Sequence, residues 1–476
     1  MVKKRGISRR YLKKRWKDFL SQDKEGVLHV SNVSVNKLSQ KYGTPLYVII
    51  ESEIRKRVRR FRDAFPYSRL KMQFASKCNS NLEILKIIRE EGGELDASSV
   101  GEIILALLAD FKPHQITFTN LYKSEQDIRF AAAIGVQAIT ADSMEELRRM
   151  NAVGEKLNQK IKTFIRVNPL VEFGKYSTKK HQYGIPISHV KKAIDYAIDS
   201  KFIDLIGFHF HGAYIHSPKI YYIVAEKLLK LAKYCKDKGK VIKSIDLGGG
   251  FPSGDNPKAF DPEDFGEDFV SFFKKKSKKL DLPSLNLIFE PGKFIVANAG
   301  IGLMQVISSK TVSKRNIIVT NGSTYAFVPD PIIYKCHYEI LPADKMVGPR
   351  WDYYTIAGCT CDSIDILGHK RWLPKLGEGD LLAIMDCGAY SNVVASNFNT
   401  LKRAPMVMIN ESGQIKLIRR RDRYSEMFAP ELDVLKNADP NELMSYYNLF
   451  RGVRVDKLWE GSKKEKIVNV IDSKKK

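Results

Sequence analysis

Residues 70–102, LKMQFASKCNSNLEILKIIREEGGELDASSVGE, decide the fold. The stretch starts with a short strand-like run, continues through an amphipathic segment of helical period from Leu82 to Glu91, and ends in a second short run. A strand, a helix and a strand in this order are typical of a unit built around a parallel sheet. The stretch therefore predicts an α/β fold.

The same alternation runs through residues 48–300. A closed barrel of the TIM type needs eight strand–helix units in about 250 residues. The sequence therefore predicts a (β/α)8 barrel over this region. Its predicted strands are Leu70 to Ala75, Glu94 to Ala97, Gln115 to Thr119, Ala138 to Ala141, Lys162 to Val167, Leu205 to His211, Lys243 to Leu247 and Leu287 to Glu290.

After Gly300 the pattern changes to strand-like runs separated by turn residues, which predicts an all-β barrel or sandwich domain over residues 301–430. Residues 1–47 are predicted to be an N-terminal segment that joins this domain, with an extra β piece from Leu28 to Tyr47. Residues 431–476 are predicted to be a helical and then charged extension. The predicted strands are Gly302 to Thr311, Asn316 to Asn321, Trp351 to Ala357, Leu381 to Asp386, Met406 to Ile409 and Ile415 to Arg419, with a hairpin turn at Asn410 to Gly413.

The composition favours a soluble, globular protein, since 43% of the 476 residues are apolar and 28% are charged. The formal net charge of +25 raises nucleic acid as a partner. However, the basic residues are spread along the chain, and the two basic runs, 3–17 and 474–476, hold too few aromatic residues for a base-stacking surface. We therefore expect no specific nucleic-acid partner. Because no apolar run reaches 18 residues, we also expect no membrane span.

The six cysteines are too few and too dispersed for a disulfide scaffold, which favours the reducing cytoplasm. Cys359 and Cys361 lack the usual spacing of a metal site, and no second pair of cysteines or histidines accompanies them at ligand spacing. We therefore expect no metal.

Polar residues just after the strands of such a barrel line the face that carries its active site. Lys77 follows the first strand, among small and apolar residues. Burial should depress the pKa of this amine, and a neutral amine is the form that attacks a carbonyl carbon. Alone this signal is weak, since an ordinary exposed lysine is an equally simple interpretation.

Three later strands end in residues that suit a phosphorylated pyridine ring. The run Gly248 to Gly250 follows the seventh strand and leaves backbone N–H groups free to surround a phosphate. Glu290 follows the eighth strand, where a carboxylate can keep a pyridine nitrogen protonated. His211 ends the sixth strand and offers a flat face to the ring. The alternative is that His209 and His211 hold a metal, but no third ligand is evident.

Together these residues resemble those of the diaminopimelate, ornithine and arginine decarboxylases, which are pyridoxal-phosphate enzymes of the alanine-racemase-like fold. The resemblance runs from about Leu28 to about Met427, and its motifs occur in order. The matching motifs are Phe74-Ala75-Ser76-Lys77, Asp96 to Glu102, His209-Phe210-His211, Gly248-Gly249-Gly250, Glu290-Pro291-Gly292-Lys293, Cys361 to Asp365 and Asp386 to Tyr390.

The resemblance implies that Lys77 carries pyridoxal 5'-phosphate, with His211, the glycine loop, Glu290, Gly292, Lys293 and Tyr390 holding the cofactor. It also implies a homodimer with shared active sites, in which Cys361 crosses the interface as a proton donor or conformational gate. A small buried core residue is the alternative interpretation of Cys361.

Three positions depart from the pattern of this family. Lys293 replaces an arginine, which keeps the charge but loses the bidentate fork. Tyr214 stands where the family has a phosphate-binding serine. Asp330, in the segment that ends at Tyr334, replaces the arginine that pairs with the distal carboxylate of diaminopimelate, and an aspartate there would instead hold an ammonium.

The candidate substrate-binding residues are Lys293, Asp330, Tyr334, Asp362 and Tyr390. Asp330 and Asp362 favour a basic amino acid such as ornithine, lysine or arginine, whereas the β domain favours diaminopimelate. We take meso-diaminopimelate as the leading substrate, in which case another cation would cover its distal carboxylate. The cations considered are Lys293, Lys335 and Arg403.

Three other classes of protein compete with a decarboxylase. A racemase would need a second base, such as Tyr325 or Tyr353. This interpretation gives the Cys361-Asp362 pair no role in the reaction. An inactive regulator of the same fold would not need to retain Lys77 and Glu290. A nucleic-acid-binding protein would depend on the basic termini and would show steep salt dependence.

Overall fold

The computed structural model describes residues 16–253, 260–347 and 351–435. Within these residues, eight parallel strands close into a ring, in which each strand pairs with the next along the chain and the last pairs with the first. All eight predicted barrel strands are confirmed, with small shifts at their ends. They are Leu70–Ala75, Glu94–Ala97, Ile116–Thr119, Ala138–Ala141, Ile161–Asn168, Ile203–His209, Ser244–Asp246 and Asn286–Phe289.

Four of the eight helices that the structure describes around the ring begin where a short polar side chain caps a backbone N–H group. Ser99 accepts a hydrogen bond from the backbone of Glu102, and Ser124 forms a capping box with Asp127. Each helix turns an apolar stripe inward onto the strands. The helices are Glu51–Ala64, Leu82–Glu90, Val100–Leu108, Glu125–Ile134, Met144–Leu157, Val190–Asp199, Lys219–Asp237 and Gly266–Lys279.

Side chains fill the inside of the barrel. Ala138, Phe164, Ile206 and Ile288 come from four different strands and form one buried cluster. Gly207 makes room for this cluster, because a Cβ atom there would lie 2.5 Å from the ring of Phe164. The interior is therefore a packed core, and chemistry is restricted to the ends of the strands.

The second domain is β-rich, as predicted. Leu46–Ile50 lies within its sheet, antiparallel to Gly300–Val312 and parallel to Met406–Ile409, and leads directly into the first helix of the barrel. The predicted turn at Asn410 to Gly413 is confirmed, since it joins two antiparallel strands. The other strands of this domain are Arg315–Thr320, Ile340–Pro342, Asp352–Ala357, Ile366–Leu373, Leu381–Ile384 and Ile415–Arg419.

The interpretation of Leu28 to Tyr47 as a β piece is wrong in its middle part. The short strands Leu20–Gln22, Leu28–Val30 and Val33–Ser34 pair in a small sheet, but Val35–Tyr42 is a helix. Ser34 caps this helix, and its side chains Val35 and Leu38 are buried. The remaining short elements are the strands Glu172–Phe173, Tyr176–Ser177 and Ile185–Pro186, the helices Lys293–Val296, Asp330–Ile333, Tyr424–Met427 and Ala429–Leu435, and the 3-10 turns Ser76–Cys78, Pro113–Gln115, Pro262–Asp264 and Phe398–Thr400.

The basic run 474–476 and all of the basic run 3–17 except residues 16 and 17 lie outside the described residues. The predicted extension beyond residue 435 also lies outside them. Among the helices that the structure describes, none combines the length and the apolar character needed to cross a membrane.

Candidate active site

Lys77 lies at the carboxyl end of the first barrel strand, in the turn Ser76–Cys78. Its Nζ atom is 3.2 Å from Oδ2 of Asp96 on the second strand. Asp96 is buried, whereas 34% of the Lys77 side chain is exposed at the mouth of the barrel. Glu102 shapes the surrounding loops, because it accepts hydrogen bonds from the Ser76 hydroxyl at 2.7 Å and from the backbone of Ser98 at 2.6 Å. The amine therefore faces the cleft, with a buried carboxylate behind it.

The expectation that burial depresses the pKa of Lys77 is wrong. Burial does oppose the charged amine, but the carboxylates of Asp96 and Glu290, helped by Tyr390, outweigh it and raise the pKa above its ordinary value. Burial, together with the nearby charge of Glu290, raises the pKa of Asp96 to about 7. Lys77 is therefore charged at neutral pH, with Asp96 as its ion-pair partner, and the amine must lose a proton before it can bond to a carbonyl carbon.

Glu290 is the fixed negative charge of the site. Burial acts to raise its pKa, but its partner His209, with Lys77 and His211, outweighs burial and lowers this pKa to about 2. His209 Nε2 lies 3.1 Å from Glu290 Oε1. Glu290 is therefore ionised at neutral pH and can act as the partner of a protonated pyridine nitrogen.

His211 is neutral and rests against the glycine loop. Burial, with the charges of Lys77 and Arg166, lowers its pKa well below the ordinary value. Its Nδ1 atom accepts a hydrogen bond from the backbone of Gly249 at 3.4 Å and lies 3.9 Å from Glu290 Oε2. A flat, uncharged imidazole beside Glu290 is the face that the sequence predicted for a planar ring.

Gly248, Gly249 and Gly250 form a cradle that side chains would fill. A Cβ atom on Gly248 would lie 2.2 Å from the carbonyl oxygen of Phe210, and one on Gly250 would lie 2.4 Å from that of Ala213. Gly248 and Gly250 also have positive φ angles, 64° and 99°, which favour glycine. The loop after the seventh strand therefore packs closely against the loop after the sixth, and such a backbone loop without side chains suits a phosphate group.

The loop after the eighth strand closes on Lys77. Gly292 allows this approach, because a Cβ atom there would lie 3.1 Å from Cys78 Sγ. Lys293, half-buried, begins the short helix that follows. An amine that can bond to a carbonyl, a partner for a ring nitrogen, a flat face and a phosphate cradle thus meet at one end of the barrel, and they fit pyridoxal 5'-phosphate.

The second domain completes the site beside Lys77. The backbone N–H of Tyr390 donates to the carbonyl of Cys78 at 2.8 Å, and Asn79 donates to the carbonyl of Gly388 at 2.9 Å. Burial raises the pKa of Tyr390, so its phenol stays protonated at neutral pH. The structure therefore brings Tyr390 next to the cofactor lysine.

Asp330 and Tyr334 lie on the second-domain side of the cleft. Asp330 is buried and accepts a hydrogen bond from the Tyr338 hydroxyl at 2.7 Å. Tyr334 is half-exposed, and its ring contacts that of Tyr214 with centroids 5.7 Å apart. Tyr214, in the position of the family's serine, therefore reaches across the cleft from the barrel.

The structure does not bring Cys361 and Asp362 to Lys77. Cys361 is exposed, which shows that its interpretation as a buried core residue is wrong, and its thiol contacts the side chain of Asn399. Asp362 accepts a hydrogen bond from the Tyr325 hydroxyl at 2.6 Å. This bond is the main cause that raises the pKa of Tyr325 to about 12, so its phenol stays protonated at neutral pH.

The structure shows the surroundings of Arg403 and Lys335, two of the cations considered as partners for the distal carboxylate of diaminopimelate. Arg403 is bonded to Asp422 at 2.8 Å, so its charge is already paired within the second domain. Lys335 is exposed beyond the helix that begins at Asp330.

Sequence reasoning gave no role in the site to Asp96 or Asp246 and considered His209 only as a metal ligand. All three lie at or next to the ends of barrel strands, which is the signal that could have identified them. His209, Asp246 and Glu290 each offer a ligand atom, and these atoms lie within 4.8 Å of one another. Asp246 and Glu290 could therefore join His209 in holding a metal ion, but His211 does not belong to this group.

A lysine placed for pyridoxal phosphate, at a barrel mouth completed by a β domain, defines a pyridoxal-phosphate enzyme of the barrel class. Residues 51–297 match the family model described as pyridoxal-dependent decarboxylase, pyridoxal binding domain. The chain belongs to the family of pyridoxal-dependent decarboxylases, and is a carboxy-lyase that uses pyridoxal phosphate.

Similar proteins extend the match over both domains. The diaminopimelate decarboxylase of Aquifex aeolicus is 30% identical, over 86% of this chain and 97% of its own. That of Methanothermobacter thermautotrophicus is 31% identical, over 85% of this chain and 95% of its own. The crystal structure of the diaminopimelate decarboxylase of Methanocaldococcus jannaschii in complex with L-lysine superposes on this chain with a TM-score of 0.81 and 27% identity. The match covers 87% of this chain and 98% of that one.

Proposed function

We propose that this enzyme converts meso-diaminopimelate to L-lysine and carbon dioxide. The observation that carries the proposal is that its likeness to diaminopimelate decarboxylases runs through the barrel and the second domain, at about 30% identity to the relatives from A. aeolicus and M. thermautotrophicus. The second domain supplies Asp330, Tyr334 and Tyr390, which we assign to the substrate side of the cleft.

In the proposed reaction, the bond between Cα and one carboxylate breaks, carbon dioxide leaves, and a proton takes its place on Cα. Bound pyridoxal phosphate supplies a sink for the electron pair left at Cα. Lys77 would hold the cofactor, and Asp96 would lie beside the lysine amine as its ion-pair partner. Glu290 would keep a positive charge on the ring nitrogen, and the glycine loop 248–250 would hold the phosphate.

We propose that the enzyme is a homodimer and that the proton for Cα comes from the partner subunit's Cys361. Cys361 and Ile364 lie on an exposed loop, and 56% of Ile364 is accessible in the single chain. Asp365 fixes this loop by accepting hydrogen bonds from the backbone and hydroxyl groups of Thr324 and Thr360. A rigid loop with an apolar tip suits a subunit interface.

One observation favours a second candidate function, the decarboxylation of a basic amino acid such as ornithine, lysine or arginine. Asp330 replaces the arginine that the family uses for a distal carboxylate. Its hydrogen bond with Tyr338 gives the carboxylate a structural partner, which weakens its assignment to a substrate ammonium. Diaminopimelate therefore stays the leading substrate.

The test measures carbon dioxide release from meso-diaminopimelate, L- and D-ornithine, lysine and arginine. We expect release from meso-diaminopimelate, and release from basic amino acids alone would contradict the proposal. Lys77→Ala should lose both activity and the visible absorption of lysine-bound pyridoxal phosphate, whereas Lys86→Ala, which removes a helix lysine paired with Glu83, should keep both.

Asp330→Asn tests the distal end, because the amide keeps a hydrogen-bond acceptor for Tyr338 and removes the negative charge. If the substrate ends in a carboxylate, this change should lower KM for diaminopimelate, since a repulsive charge is lost. A loss of activity confined to ornithine, lysine or arginine would instead support the second candidate function.

A further inference from the structure

Three buried side chains meet behind the cofactor site. His209 Nε2 lies 3.1 Å from Glu290 Oε1, and an oxygen of Asp246 lies within 4.8 Å of the ligand atoms of both. At most 1% of each residue is exposed. Such a group calls for an explanation, because burying polar atoms and a charge costs free energy unless these atoms form hydrogen bonds or ion pairs with one another.

The barrel places the three residues together. His209 and Asp246 are the last residues of neighbouring strands and face each other in register, and Glu290 follows the next strand. Asp246 also accepts a hydrogen bond from the backbone of Gly248 at 2.9 Å. The group therefore joins Glu290 to the phosphate cradle through the framework of three strands.

The protonation states leave one negative charge in the group. His209 is neutral, because burial lowers its pKa. Asp246 keeps its proton, because burial and the charge of Glu290 raise its pKa well above the ordinary value. Since a carboxylate can only accept, the neutral His209 carries its hydrogen on Nε2 and donates it to Glu290 Oε1.

We propose that His209 is a positioning residue for Glu290. The bond to Oε1 leaves Oε2 on the side of His211, 3.9 Å from its Nδ1, which is the side where the cofactor ring lies in our assignment. His209 thus directs Oε2 of Glu290 toward the ring nitrogen and stabilises its charge, while the neutral Asp246 lies beside the same carboxylate. The rival interpretation is a metal ion held by the three residues.

Two amide variants separate this role from simple packing. In His209→Gln the amide nitrogen reaches the position of Nε2, whereas in His209→Asn it reaches only that of Nδ1. The experiment measures the ¹⁵N chemical shift of pyridine-labelled pyridoxal phosphate in the substrate-free holoenzyme. We expect the signal of a protonated ring nitrogen in the wild type and in His209→Gln, and a shift toward the unprotonated signal in His209→Asn.

The asparagine and glutamine variants of His209 should also differ in kcat. His209→Asn should lower kcat by roughly 10- to 100-fold with little change in KM, because the lost bond to a charged group acts in the transition state. His209→Gln should recover most of this loss. Phe208→Leu is the packing control, since Phe208 is equally buried on the same strand but points to the opposite face of the sheet.

The proposal is overturned if the asparagine and glutamine variants give the same ¹⁵N signal. A stoichiometric metal ion in the purified holoenzyme, lost from both variants, would overturn it in favour of the metal interpretation. Because the ¹⁵N signal is measured without substrate, it also separates this proposal from that of diaminopimelate as the substrate.

Discussion

The protonation of Lys77 depends on its neighbour Asp96, and this dependence can be tested at the scale of single residues. Asp96→Asn removes a charge that raises the pKa of Lys77, so a larger fraction of the amine should be neutral at pH 7. Apoenzyme carrying Asp96→Asn should then capture pyridoxal phosphate faster than wild type, by roughly tenfold. Stopped-flow measurement of the growing visible absorbance gives this rate.

The pH dependence supplies the control. In the wild type the capture rate should rise with pH, since the raised pKa of Lys77 keeps the amine protonated at neutral pH. The advantage of Asp96→Asn should therefore shrink as the solution becomes more alkaline. Asp110→Asn, which changes an exposed aspartate in the turn after the helix Val100–Leu108, should behave like the wild type. Equal rates for Asp96→Asn and the wild type at pH 7 would show that Asp96 does not set the charge of the amine.

The sequence could identify Lys77 as a candidate but not the direction of its pKa shift. Small and apolar neighbours along the chain predict a depressed pKa, whereas the charges that decide it come from Asp96 on the second strand and Glu290 after the eighth. The partner of Asp330, Tyr338, was missed for a related reason. No short pattern marks a hydrogen bond between a buried aspartate and a tyrosine eight residues later.

At the scale of elements, the glycine loop after the seventh strand can be probed with a matched pair of glycines. Gly250 and Gly239 both have positive φ angles, but a Cβ atom would meet the carbonyl of Ala213 at 2.4 Å on Gly250 and open space on Gly239. Gly239→Ala should cost only backbone strain, about 1 kcal/mol of unfolding free energy. Gly250→Ala should cost more, and should weaken pyridoxal-phosphate binding by at least tenfold.

Cofactor titration followed by absorbance, together with thermal unfolding, checks both glycine variants. Weaker cofactor binding by both variants to the same extent would show that strain, rather than crowding of the loop, is responsible. Unchanged binding by Gly250→Ala would contradict the assignment of this loop to the phosphate.

A second element-scale prediction concerns the end of the strand Ile415–Arg419. Asp422 accepts hydrogen bonds from Arg403 at 2.8 Å and from Asn397 at 3.0 Å, and also pairs with Arg419. Burial acts to raise its pKa, but these partners outweigh burial and lower the pKa to about 2. Asp422→Asn should therefore reduce the free energy of unfolding at pH 7 by about 1 to 2 kcal/mol, measured in urea.

The sign of this effect follows from the lowered pKa. The stabilisation is complete above the ordinary pKa of an aspartate, about 4, and is lost as the pH falls toward about 2. The difference between the wild type and Asp422→Asn should thus be constant from pH 7 to about pH 5 and should shrink below about pH 4. A difference that keeps its full size at about pH 2 would contradict the ionic origin of the effect.

The elements that the sequence predicts best are those whose residues are mostly buried. The barrel strands are buried on both sides and read as short apolar runs, so all eight were found. Ile366–Leu373 was missed because the exposed residues His369 and Lys370 interrupt its apolar pattern. The sequence pattern predicts β structure for Val35–Tyr42, although Ser34 directly before it is a residue that caps helices.

At the scale of the whole molecule, the two domains are joined where the chemistry takes place. Gly388 has no room for a side chain, since a Cβ atom there would lie 1.7 Å from the carbonyl oxygen of Val296. Two residues later, Tyr390 is bonded to the backbone beside Lys77. The contact between domains therefore fixes the barrel lysine relative to the residues of the second domain, and any motion that separates the domains would also open the site.

This arrangement leaves Cys361 exposed on the second domain, so its proposed role requires a second subunit. Refolding an equal mixture of Lys77→Ala and Cys361→Ala chains should produce heterodimers as about half of the population. Each heterodimer would hold one intact site, formed by Lys77 of one subunit and the partner subunit's Cys361. The mixture should then recover about a quarter of the wild-type activity, although either variant alone is nearly inactive.

The control mixture pairs Lys77→Ala with the double variant Lys77→Ala/Cys361→Ala, in which no site is complete, and should stay inactive. Sedimentation of each mixture checks that dimers have formed. If the first mixture showed only the average of its two components, the site would lie within one subunit. Cys361 would then have to reach Lys77 by a movement of its own loop, against the hydrogen bonds with which Asp365 holds that loop in place. Recovery of activity would instead show that the exposed loop is one half of an active site whose other half lies in the barrel of the partner.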